Sequence, residues 1–116
     1  MAIKTHLDTA GACWTLSLRG DLDFGECAGV RMTLDRILMA SPRAAVVDLS
    51  GLRYLDSSGL GLLLALSKGL NLRGGKLVLV TNRMIDDVLS LTRLGSIFST
   101  AGSMDEALQI AEPTTV

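Results

Sequence analysis

Val46-Val47-Asp48-Leu49-Ser50-Gly51-Leu52-Arg53-Tyr54-Leu55-Asp56-Ser57-Ser58-Gly59-Leu60-Gly61, near the middle of this 116-residue chain, holds a strand, a connection and a helix start in succession. It begins inside an apolar run over residues 44–49, broken only by Asp48, the pattern of a strand covered on both faces. A loop is expected over residues 50–56. A helix is then expected from near Ser57 to about Leu70. A doubly covered strand delivering a loop to a helix N-terminus is the core of a parallel α/β layer, because parallel strands need helical crossovers.

The rest of the chain extends that unit in both directions. Residues 12–19 alternate apolar and polar side chains, as a half-buried strand does. Residues 4–7 form a weaker strand that can pair with it through the turn at residues 8–11. Gly20-Asp21-Leu22-Asp23 ends the long strand in a turn. Cys27, Val30, Leu34, Ile37 and Leu38 recur at helical spacing within a helix over residues 25–40, which Ser41-Pro42 stops. After the central unit come a two-glycine turn at residues 71–75 and a buried strand over 76–80. A helix capped by Asn82 runs to about Thr92, and a short strand follows over 97–100. Ser103-Met104-Asp105-Glu106 opens a last helix as a capping box. The order predicts one domain over residues 1–116: an α/β fold with a mixed, mostly parallel sheet of four to five strands and about four helices. Residues 1–3 and 112–116 are expected to fray.

Composition removes several classes of function. Eleven Lys and Arg oppose twelve Asp and Glu, and the cations are scattered singly, so no basic cluster in the sequence marks a nucleic-acid partner. The longest run without a polar side chain is residues 59–66, far short of the roughly 20 needed to cross a bilayer. No basic stretch followed by an apolar one opens the chain, so no secretory leader is expected. Cys13 and Cys27 lie in separate elements and read as small buried hydrophobes. His6 is the single histidine, too few for a zinc set or for a Ser-His-Asp triad. No Gly-Lys-Ser/Thr phosphate loop exists. Asp48, Asp56 and Lys76 make a poor receiver-type phosphoacceptor, since the acidic pair at the end of the first strand is absent. An enzyme with Ser57 as nucleophile would have to recruit Lys68 or Lys76 as its base.

Asp56, Ser57, Ser58 and Gly59, taken alone, are ordinary helix-start residues. Their order here carries more. Asp56-Ser57-Ser58-Gly59-Leu60-Gly61, with Gly20-Asp21-Leu22-Asp23 before it and Gly74-Gly75-Lys76-Leu77 after it, resembles the STAS domains, and among them the bacterial anti-sigma factor antagonists. The resemblance covers nearly the whole chain. It departs at residues 91–97, where Arg93 and Gly95 replace the usual order of glycine and polar residues.

The resemblance implies the STAS fold and a binding protein without enzymatic activity or a cofactor of its own. The unphosphorylated form would bind an anti-sigma factor that is also a serine kinase, with ATP bound by that partner, and so free a sigma factor. The kinase would phosphorylate Ser57, with Ser58 as the second hydroxyl, and a phosphoserine phosphatase would reverse it. Asp21, Asp23, Asp56, Ser58 and Gly59 match the partner-facing region. The expected setting is the cytoplasm, and with the composition above the expectation is a monomer without a nucleic-acid or membrane partner. The alternative is a STAS scaffold or adaptor in a stressosome-like or lipid-transport assembly, without a phospho-switch.

The second helix is unusually rich in leucine. At 100° per residue Leu62, Leu63, Leu66 and Leu70 form one stripe, and Leu60 and Leu64 fall on a neighbouring face. One stripe suffices to cover a sheet. Leu60 and Leu64 are therefore expected at the surface, as part of an apolar patch for the partner.

Overall fold

The computed structural model describes residues 3–112. Five strands form one sheet in the order β1-β2-β3-β4-β5: Lys4–Asp8, Cys13–Leu22, Ala44–Leu55, Lys76–Val80 and Ser99–Ala101. β1 is antiparallel to β2, and every other neighbouring pair is parallel. Four α-helices connect and cover the sheet: α1 (Cys27–Ala40), α2 (Ser57–Leu72), α3 (Arg83–Leu91) and α4 (Met104–Ala111). A single 3-10 turn, Phe24–Glu26, leads into α1. This is the mixed α/β sheet that the order of elements predicts.

Alternation along the strands divides the core in two. Leu16, Leu18, Ala45, Val47, Leu77 and Leu79 face the main core, with buried residues of α1, α2 and α3. Ala44, Val46, Val78 and Val80 face the other way, toward Ala107 and Ala111 of α4. Small side chains on both sides of that second interface let the short α4 lie close to the sheet.

Two expectations change. Residues 50–55 are strand, not loop, and β2 continues through the expected turn to Leu22. The reason lies in the pairing of β2 with β3. Ser17 is opposite Asp48, but Arg19 is opposite Gly51; Gly20 is opposite Leu52, but Asp21 is opposite Tyr54. Each shift gives β3 one extra residue. Leu49, Leu52 and Leu55 are spaced by three, yet all three turn inward and are buried. Two bulges thus convert a spacing that looks unlike a strand into a continuous inward row. Gly20, at φ 106, takes a backbone conformation open mainly to glycine where the second shift begins.

The ends expected to fray lie mostly outside the described residues, which exclude 1–2 and 113–116. Ile3 is half-buried against the main core, and the Glu112 N–H bonds the Leu108 carbonyl at 2.9 Å. The cysteines also differ from expectation. Both are half-buried rather than enclosed, and both are free.

Candidate functional site

β2 and β3 end side by side, with Leu22 opposite Leu55. The next residue on each strand is an aspartate, and each caps a helical turn. Asp23 Oδ1 accepts the Glu26 N–H at 3.1 Å and so starts the 3-10 turn. Asp56 is extended at φ −100 and ψ −177 and caps α2. Its Oδ1 accepts the N–H groups of Ser58 at 3.0 Å and Gly59 at 3.1 Å. Its Oδ2 accepts the Phe24 N–H at 3.1 Å. The Asp56 N–H in turn reaches the Leu22 carbonyl at 3.4 Å. The two turns that stand far apart in sequence are thereby joined into one surface.

Ser57 is the first residue of α2 and is exposed; Ser58 is half-buried. The positive end of a helix favours an anion, but here the Asp56 carboxylate already occupies two first-turn amides. A phosphate on Ser57 would stand next to a carboxylate rather than in an empty anion cradle. Asp21 lies one position before Leu22, and its carboxylate is 3.8 Å from the Arg53 guanidinium. Asp21, Asp23, Asp56 and Ser57 thus share the carboxyl end of the sheet, where open α/β folds collect their chemistry. The Cys27 thiol reports the same crowding. Burial pushes its pKa up, and the charges of Asp56 and Asp23 push it further, against a small opposing pull from Arg31.

Other expected contact residues are not at the surface. Gly59 is buried, and a Cβ there would stand 2.7 Å from Leu22 Cγ and 2.8 Å from Leu55 Cδ1. Its role is to let α2 approach the ends of β2 and β3. Leu60 is only 7% exposed and belongs to the main core, which removes it from the expected patch. The cause is the width of the buried arc of α2. The helix lies against the sheet and against α1, with Gly69 fitted to Leu38. Its covered side runs from that glycine across the central stripe to Leu60 and Ser67. Leu64 is half-buried and, with Lys68, Leu72 and Ile97, lines a groove of about 430 Å³.

Two exposed aromatic residues flank the site without having been singled out. Phe24, 80% exposed, follows Asp23, and Tyr54 precedes Leu55. Aromatic side chains are enriched at contact surfaces. The one signal in the sequence was a phenylalanine set in a polar turn of a chain with few aromatics. His6 pairs with Ser17 on β1, about five residues from the Leu22 end, or roughly 16 Å at 3.3 Å per residue. It is not placed to serve Ser57 as a base.

Fold and site together define a small α/β module in which an exposed serine heads a helix directly after its capping aspartate. The chain belongs to the STAS domain family, whose model matches residues 4–107. A STAS-domain containing protein of Pseudomonas aeruginosa (strain UCBPP-PA14) is 41% identical over 66 residues, which is 57% of this chain. That match spans 64% of the relative's length, less than two thirds of it. Among solved structures, an anti-sigma factor antagonist from Mycobacterium paratuberculosis superposes with a TM-score of 0.86 at 25% identity, covering 96% of this chain and 95% of that one. The anti-sigma factor antagonist SpoIIAA in its unphosphorylated form gives a TM-score of 0.81 at 20% identity, with 97% and 100% covered. Among the described residues, no helix is long and apolar enough to cross a membrane.

Proposed function

We propose that this chain is an anti-sigma factor antagonist switched by phosphorylation of Ser57. The unphosphorylated chain binds an anti-sigma factor that is also a serine kinase, in the cytoplasm, and a sigma factor is released. The kinase uses its own ATP to phosphorylate Ser57, and a phosphoserine phosphatase restores the binding form. The observation that carries the reading is the exposed Ser57 hydroxyl beside Asp56, on a surface that Asp56 and Asp23 make rigid. The fold shared with anti-sigma factor antagonists supports it.

The physics of such a switch is local. A phosphate adds about −1.5 to −2 charge at neutral pH. Added to a formal net charge of −1, it would change the chain's charge by more than its present value. It would stand among Asp56, Asp23 and Asp21, so a docked partner must desolvate it or meet it with cations. A loss of about 3 kcal/mol lowers affinity more than a hundredfold. No rearrangement of the fold is needed, because Asp56 keeps its three backbone bonds.

The test is incubation of the chain with its anti-sigma kinase and ATP, followed by mapping of the phosphate by mass spectrometry. Phosphate on Ser57 supports the reading. Phosphate on Ser58, or none in this segment, refutes it. The Ser57→Ala variant is expected to bind the kinase constitutively and Ser57→Asp to bind weakly.

A further inference from the structure

β4 pairs with β3 only as far as Asp48 opposite Val80. Beyond that point β4 parts from β3: Thr81 still donates its N–H to the Ala101 carbonyl of β5, on the far side, and α3 begins at Arg83. The last part of β3, including both bulges, has β2 on one side and no strand on the other. Its carbonyls on the open side need donors, since unpaired backbone groups away from water are costly. The Asn82 carboxamide reaches this open side. Its Nδ2 carries two hydrogens and lies 2.8 Å from the Leu52 carbonyl and 3.2 Å from that of Ser50, with the Leu49 carbonyl sharing a hydrogen at 3.4 Å. The same carboxamide accepts the Ile85 N–H at 2.9 Å through Oδ1 and so caps α3.

From this juxtaposition we infer that Asn82 is a positioning residue for the Ser57 switch, acting as a one-residue substitute for the missing length of β4. The bulged segment it holds runs directly into Leu55, Asp56 and Ser57. The segment carries two extra residues relative to β2, and the burial of Leu49, Leu52 and Leu55 specifies its register from the core side. The carboxamide holds the same segment from its open edge, in the arrangement in which Asp56 meets Phe24. Serine or aspartate would cap α3 about as well, and threonine nearly so. Only asparagine among the usual cap residues also brings an N–H₂ donor. The choice of residue at position 82 is explained by the second task and not by the first.

The experiment compares Asn82→Ser, which keeps an oxygen cap and loses the donor, with Asn82→Asp, which also turns a carboxylate toward three carbonyls. Backbone amide exchange is followed residue by residue in each folded variant. The Ser58 and Gly59 amides, which report the Asp56 cap, are expected to exchange at least about tenfold faster, while α1 and the β4 amides such as Leu79 stay unchanged. A second arm, which rests on the function proposed above, measures phosphorylation of Ser57 by the kinase. KM is expected to rise more than kcat falls, because the acceptor segment is held less often in its bound geometry. Unchanged Ser58 and Gly59 exchange in Asn82→Ser, or an equal acceleration across the whole sheet, overturns the inference. Should the wild-type chain take no phosphate on Ser57, the functional reading fails, and the exchange arm still decides the role of Asn82.

Discussion

The Asp56 carboxylate accepts the backbone N–H of Phe24 at 3.1 Å, across 32 residues of sequence. This bond ties the start of α2 to the turn after β2. Asp56→Ala removes the acceptor for three N–H groups at once. Losing a helix cap alone costs about 1–2 kcal/mol, so urea unfolding is expected to show a loss of about 2 kcal/mol or more. Asp56→Asn keeps an acceptor oxygen and removes the charge. The Cys27 thiol, which Asp56 pushes up, then moves toward its ordinary pKa and holds more thiolate at a given pH. Alkylation of Cys27 at about pH 8 is expected to be faster in Asp56→Asn than in the parent chain. An equal or slower rate contradicts this account of the site.

Gly59 and Gly61 are separated by one residue and predict opposite outcomes. A methyl at Gly59 meets Leu22 and Leu55 at under 3 Å, whereas one at Gly61 has nothing within 4 Å. Overpacking costs about 1–3 kcal/mol, which exceeds the helix-propensity gain of about 1 kcal/mol. Gly59→Ala is expected to lower the urea midpoint. Gly61→Ala is expected to raise stability by about 0.5–1 kcal/mol.

Leu60 and Leu72 differ in the same way. Leu60→Ala opens a cavity in the main core and is expected to cost about 2–4 kcal/mol. Leu72 is 77% exposed, so Leu72→Ser is expected to shift stability by no more than about 0.5 kcal/mol. Thermal unfolding of the two variants separates core from surface on this helix.

Arg93 offers a stabilising change. α2 and α3 end in the same pair of bonds. Gly75 N–H reaches Leu70 and Gly74 reaches Asn71; Leu94 reaches Leu89 and Arg93 reaches Ser90. The motif places one residue in the left-handed region. In α2 that residue is Gly74 at φ 77, and in α3 it is Arg93 at φ 59. A side chain there costs about 1–2 kcal/mol, partly offset by the greater freedom of glycine in the unfolded chain. Arg93→Gly is expected to raise stability by about 0.5–1 kcal/mol, read from the urea midpoint.

Local signals carried much of the architecture. The caps at Asn82 and Ser103 marked two helix starts, and the Asp56-Ser57-Ser58-Gly59 cluster placed a third near Ser57, because a side-chain oxygen two or three residues from its amide is a property of short sequence. The strand at Lys76–Val80 was equally plain from its apolar run. The last strand was expected two residues early, since three residues at a sheet edge carry little pattern. The length of β3 could not be read, because its inward spacing of three has meaning only against the register of β2. The placing of Leu60 failed for a related reason. Helical angle says which residues share a face, and the neighbours on either side decide how wide a face is covered.

Short-range signals thus fixed the helix caps, the central part of each strand, and the serine that follows a capping aspartate. Which groups meet was set by the packing of distant segments. Phe24 reaches Asp56, Gly59 admits Leu22, and Asn82 replaces a strand at the edge of β3. Those pairings join residues 30 or more positions apart in most cases. They depend on strand register and on bulges, which arise from the relation between two segments and are written in neither one alone.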